Sequence, residues 1–134
     1  MKRVFCEKLG LVIGLFGEVE FITYRMWSTL GMRSDPPISF KSRVDKLLGQ
    51  LKDIDPESEI LQSLLIEAKN LYDIRNDIAH NPIWSHDDGY VIFVEGKEKP
   101  LSLEKLMDIY KKMSQLLNEL WKQSKYFSGE HNWK

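Results

Sequence analysis

Residues 55–84, DPESEILQSLLIEAKNLYDIRNDIAHNPIW, hold one complete helix and the point where the chain stops being helical. Asp55-Pro56-Glu57 is a start signal: an acid able to cap, a proline suited to the first helical position, and negative charge at the positive end of the helix dipole. Leu61, Leu64, Leu65, Ala68, Leu71, Tyr72, Ile78 and Ala79 then recur at helical spacing and predict a core-facing stripe. Pro82 disfavours helical geometry at Asn81, so the helix should end near His80.

Working outward, residues 83–94 change period. Ile83-Trp84 and Tyr90-Val91-Ile92-Phe93-Val94 flank Asp87-Asp88-Gly89, which predicts a β-hairpin leaning on the helices. Ser102 opens a last helix to about residue 125, with the stripe Leu103, Leu106, Ile109, Tyr110, Met113, Leu116, Leu117, Leu120 and Trp121. Upstream, Ser39 is the expected cap of a helix running to about Leu51 with Phe40, Val44, Leu47, Leu48 and Leu51 inward, after a loop fixed by Pro36-Pro37. Residues 4–30 contain no proline and carry apolar side chains on nearly every face. A helix of that kind must be covered all round, which predicts that a second copy covers part of it. Gly10, Gly14 and Gly17 share one side, where they admit either another copy's backbone or tight packing within the monomer. The expected fold is all-α: a four-helix up-and-down bundle with a small β-hairpin inserted before the last helix. Residues 1–127 form one domain, and the tail from Ser128 to the end is expected to be frayed.

Composition agrees with one folded domain. The 134 residues are 43% hydrophobic and 29% charged, a globular balance rather than that of a disordered chain. A single cysteine, Cys6, excludes an internal disulfide and a thiolate zinc site, which fits a reducing, cytoplasmic setting. Glu7 and Lys8 interrupt any signal-peptide pattern. Glu18, Glu20 and Arg25 interrupt the apolar run 9–30, so no membrane association is expected. A net charge of -1 gives no global attraction to nucleic acid. RNA would have to be gathered by a local patch, for which Lys41, Arg43 and Lys46, or Lys111 and Lys112, are the candidates.

Arg75 sits within the apolar stripe, where a guanidinium needs an anion or a route to solvent. Glu18 and Glu20, in otherwise apolar surroundings on the first helix, are the two candidate partners. Asn76 and His80 are four apart and share a helical face. Arg75 and His80 are separated by about 140° of rotation, so joint action needs the long Arg side chain, an opened last turn or a second copy. Histidine moves protons near neutral pH, arginine stabilises developing phosphorane charge, and asparagine orients a hydroxyl or the imidazole. That set suffices for RNA cleavage without metal. It is equally compatible with a structural role, in which His80 caps the helix end and Arg75 forms an ion pair.

The run Arg75-Asn76-Asp77-Ile78-Ala79-His80 resembles the motif of the HEPN family, the higher-eukaryote and prokaryote nucleotide-binding domains. Its pattern is an Arg, commonly a polar residue next, and a His four to six residues further on. The resemblance implies an α-helical bundle with the motif near the end of a late helix. Many such proteins are metal-independent endoribonucleases of toxin–antitoxin or phage-defence systems, acting as homodimers with two motifs in one cleft. Others are non-catalytic dimerisation, protein-binding or nucleotide-binding modules. The implied catalytic residues are Arg75, Asn76 and His80, and the implied partners are a second copy, RNA, and a cognate antitoxin or other protein.

His80, His86, Asp87 and Asp88 also suggest a hard-metal set, but a turn rich in Asp and Gly accounts for the last two, and neither metal nor cofactor is expected. Trp84, Tyr90 and Phe93 are base-stacking candidates that a hairpin packed on helices would instead use as core.

Overall fold

The computed structural model describes residues 2–80, 83–86 and 89–129, apart from the side chains of Lys2, Ala79, His80, Trp84, Ser85, His86, Val91, Phe93 and Val94. Four helices, α1 (Lys2–Thr29), α2 (Phe40–Ile54), α3 (Glu59–His80) and α4 (Leu103–Trp121), surround one continuous core. Between α3 and α4 lies an antiparallel sheet of β1 (Ile83–His86), β2 (Gly89–Val94) and β3 (Lys97–Pro100), in spatial order β1-β2-β3. A helical bundle with a small β element before its last helix is therefore the architecture.

The local signals act through identifiable bonds. Ser39 caps α2 by accepting from the Ser42 N–H, and Ser102 caps α4 by accepting from the Lys105 N–H. At the end of α1 the Gly31 N–H bonds Ser28 O and the Met32 N–H bonds Trp27 O, with Gly31 at φ 73°. This closure satisfies carbonyls that the helix itself leaves without donors.

Asp55 departs from the expected role. It does not cap α3 but closes α2, donating its N–H to Leu51 O. Its carboxylate accepts the Tyr126 hydroxyl at 2.7 Å and the Glu57 N–H at 3.3 Å. The start of α3 falls instead to Ser58, whose carbonyl accepts the Gln62 N–H and whose hydroxyl accepts from Gln62 Nε2. The last helix stops at Trp121, a short 3-10 turn (Ser124–Tyr126) follows, and Tyr126 and Phe127 are buried. The Ser128 N–H is tied to Ser124 O at 2.7 Å, and the rest of the expected frayed tail, residues 130–134, lies outside the described residues.

Side-chain pairs fix how the helices run. Lys41 meets Asp73, Asp45 meets Lys69, and Phe40 stacks on Tyr72, so α2 and α3 are antiparallel. Lys8 lies over Tyr110, and Arg25 donates to Phe127 O, so α1 and α4 run in the same sense. Arg43 bonds Thr23, and Gln50 bonds Leu30 O, so α2 also runs with α1. Alternation of direction thus holds from α2 through α4. Between α1 and α2 the segment 30–39 first doubles back, held where Trp27 Nε1 donates to Ser34 O at 2.7 Å.

The sheet has one strand more than the expected hairpin. Glu95 and Gly96, both at positive φ, turn β2 into β3. All four residues of β3 are exposed, and its Lys-Glu-Lys-Pro sequence suits an edge that must not pair further. Tyr90 and Ile92 face the helices: Ile92 is buried, and Tyr90 stacks on Phe5 with ring centroids 3.7 Å apart. Tyr90 is therefore a packing residue rather than a free base-stacking ring. Trp84 and Phe93, named with it, have side chains outside the described residues.

The described residues do not cover helix α1 all round. Phe5, Val12, Phe16, Val19, Ile22, Met26 and Trp27 form one buried stripe, while Leu11, Ile13, Phe21 and Tyr24 stay exposed. Gly10, Gly14 and Gly17 are exposed too, and a Cβ built on any of them meets nothing within 4 Å. Among the described residues, then, none packs tightly against these glycines. Each still costs the helix about 0.5–1 kcal/mol relative to alanine.

Candidate functional site

Arg75 projects from the penultimate turn of α3 into the angle between α3 and α1. Its side chain is 23% exposed, and Nε lies 3.9 Å from Glu20 Oε1, whose own side chain is 28% exposed. Glu20 is therefore the partner foreseen on the first helix, and Glu18 stands exposed. Arg75 Nη1 donates to Asn76 Oδ1 at 3.3 Å, and its guanidinium carbon lies 5.6 Å from the Tyr72 ring centroid. The ion pair is long, and both partners remain reachable by water.

Sequence spacing explains the placement. Ile78 and Ala68 are buried, Leu71 and Tyr72 half-buried, so the stripe of α3 widens towards its end and leaves Arg75 at its margin. Asn76 and Asp77 are half-buried beside it. His80 is the last residue of α3, while its side chain, like those of Ala79 and His86, and residues Asn81, Pro82, Asp87 and Asp88 lie outside the described residues. The structure thus brings Arg75, Asn76 and Glu20 together at the helix end that carries His80.

The expected basic patches are rearranged. Arg43 is not a surface cation: it is 1% exposed, and its guanidinium donates to Thr23 Oγ1, Pro37 O and Ile38 O while stacking 3.9 Å from the Tyr24 centroid. Lys41 is paired with Asp73 at 2.6 Å, which leaves Lys46 as the exposed cation of that group. Lys112 pairs with Asp108, while Lys111 borders a depression of about 720 Å³ with Ser102, Lys105 and Met107. Neither Arg75 nor Asn76 borders it.

Sequence reasoning passed over Lys97 and Lys99. They are exposed on β3, which pairs with β2, and β2 packs against α3. Lys99 stands opposite the inward-facing Ile92, so both point to the same face of the sheet. The signal for them was the Glu95-Gly96 turn rather than any hydrophobic alternation.

Among the described residues there is no cluster of three or more His, Cys, Asp or Glu side chains able to hold a metal, and no described helix is long and apolar enough to cross a membrane. Cys6 is an exposed free thiol. No family model, curated protein or solved structure matches this chain.

Proposed function

We propose that this chain is a metal-independent endoribonuclease of the toxin–antitoxin or phage-defence type, acting as a dimer. The observation that carries the reading is Arg75. It is a half-buried guanidinium on the last turns of α3, beside Glu20 and Asn76, in the run that resembles the HEPN motif and ends at His80.

The chemistry is an internal transesterification of RNA. The ribose 2′-oxygen bonds to phosphorus, the bond to the 5′-oxygen breaks, and the products carry a 2′,3′-cyclic phosphate and a 5′-hydroxyl. His80 is assigned the proton transfer, taking the 2′-hydroxyl proton or giving one to the leaving oxygen. Arg75 stabilises the added charge on the phosphoryl oxygens, and Asn76 orients the hydroxyl or the imidazole. Lys97 and Lys99 supply cations on the sheet that packs beside α3, which eases the difficulty of a net charge of -1.

The test is incubation of the purified protein with total RNA in excess chelator. Cleavage to cyclic-phosphate ends is expected, with a loss of about 100-fold or more in His80→Ala. The variant should retain its native helical circular dichroism. Absence of cleavage by the unaltered chain, or unchanged cleavage by His80→Ala, overturns the assignment.

One observation favours a second reading, a non-catalytic dimerisation or protein- or nucleotide-binding module. A carboxylate already sits beside Arg75 and competes with a phosphate for it. On that reading Arg75→Gln leaves every RNA assay at background.

A further inference from the structure

Side chains of an α-helix lean towards its N-terminus, so that of Arg75 is directed back over the preceding turn of α3, where Tyr72 stands three residues earlier. The Arg75 guanidinium carbon lies 5.6 Å from the Tyr72 ring centre, within the range at which a ring face attracts a cation. Two further contacts are of different kinds: Glu20 Oε1 lies 3.9 Å from Nε, and Asn76 Oδ1 accepts from Nη1 at 3.3 Å.

The ring is itself held. Tyr72 stacks on Phe40 with centroids 4.5 Å and planes 26° apart. Phe40 is buried at the start of α2, next to the Ser39 cap. Ion pairs between Lys41 and Asp73 and between Lys69 and Asp45 join the same stretches of α2 and α3. The Arg43 guanidinium carbon lies 5.5 Å from the Phe40 ring centre, and Arg43 Nε donates to Thr23 Oγ1, which donates in turn to the Glu20 carbonyl at 2.7 Å. The contacts thus close a circuit from Glu20 through Arg75, Tyr72, Phe40, Arg43 and Thr23 back to Glu20. In a closed circuit each member is located from both sides.

We propose that Tyr72 is a positioning residue of the site: its ring, backed by Phe40, fixes where Arg75 presents its guanidinium to the scissile phosphate. The assignment rests on the reading of Arg75 as the cation that meets this phosphate and names what controls its placement. A long side chain with about 2 kcal/mol of rotamer entropy is effective against developing charge only if its donors already stand where the charge appears. A misplacement of about 1 Å can cost about 100-fold in rate. Of the three contacts, only the ring attracts the cation without offering a lone pair to its N–H groups. A carboxylate that holds a guanidinium takes up donors a phosphate needs, and a ring face does not.

Two variants separate this role from plain packing. Tyr72→Phe keeps the ring; Tyr72→Leu keeps an apolar side chain and removes the ring. Nuclear magnetic resonance of the isotope-labelled full chain, without RNA, follows the Arg75 Nε–H signal, identified by its loss in Arg75→Gln. In Tyr72→Leu that signal should shift and its order parameter fall below about 0.6, while Tyr72→Phe restores both towards the native values. In cleavage assays Tyr72→Leu should lower kcat about ten-fold or more, with KM changed by less than about three-fold, and Tyr72→Phe should recover most of the loss. The signals of the remaining residues report that each variant is folded. An Arg75 signal indifferent to Tyr72→Leu, equal effects of leucine and phenylalanine, or an unchanged kcat in a chain that cleaves RNA overturns the proposal. A native chain that does not cleave, but whose Arg75 signal responds as stated, overturns the enzymatic reading and leaves Tyr72 as the residue that places the cation.

Discussion

Two arginines on neighbouring helices show what surroundings do to one chemical group. Arg43, near the start of α2, is sealed at 1% exposure, its Nε donating to a hydroxyl, its Nη1 to two carbonyls, and its flat faces lying against Tyr24 and Phe40. Arg75, near the end of α3, keeps 23% of its side chain in contact with water and faces a carboxylate at 3.9 Å. The first ties the α1–α2 connection to α1 and has no face left to offer a ligand. The second is positioned but retains access. The difference between them is how completely each guanidinium is covered by its neighbours.

The sharpest way to break this comparison is to remove Arg43. Arg43→Ala leaves Thr23, two carbonyls and a ring without their partner and opens a cavity, so a loss of about 2–5 kcal/mol is expected in urea denaturation. Arg43→Lys should recover only part of it, because an ammonium cannot reproduce the fork or the stack. A loss below about 1 kcal/mol for the alanine variant would show that the buried guanidinium is not what holds the connection.

Alkaline titration separates the arginines from another buried polar group. Tyr126 is pushed up to about 12, chiefly by burial and then by its hydrogen bond to Asp55 and the nearby acidic charge of Asp55 and Glu57. Its folded value lies above the unfolded one near 10, so its contribution is fully present below pH 10 and is lost as pH rises through about 12. Stability should fall by about 3 kcal/mol across that window, and Tyr126→Phe should flatten the fall. Arginine stays charged there, so a fall that persists in Tyr126→Phe would have to arise elsewhere.

Arg75→Gln should move stability least, by about 1 kcal/mol or less, because its ion pair is long and partly hydrated. Under the proposed function the same change removes RNA cleavage. Destabilisation as large as that of Arg43→Ala would give Arg75 the structural role of Arg43 and erase the distinction. Equal stability with equal cleavage would take it out of the site.

How much of this was legible beforehand follows from the range of each interaction. The caps at Ser39 and Ser102, the stripe of α3 and its termination are set by residues within a few positions of one another, and spacing displays such relations directly. The Glu20–Arg75 pair was also within reach, since a cation in an apolar stripe requires an anion and the first helix offers two. Strand β3 escaped because an exposed edge strand has no hydrophobic alternation to read. Asp55 looked like a helix start because its partner, Tyr126, lies far along the chain.

By itself the sequence determined the helices, the switch to strands after His80 and the presence of an unusual cation at the end of α3, because periodicity and capping are local. Only the tertiary structure decided that Arg43 is interior while Arg75 keeps contact with solvent, that α2 runs with α1, and that the glycine side of α1 faces outward. Those outcomes depend on which distant segments arrive beside a residue, and burial, hydrogen-bond satisfaction and charge compensation are properties of that company.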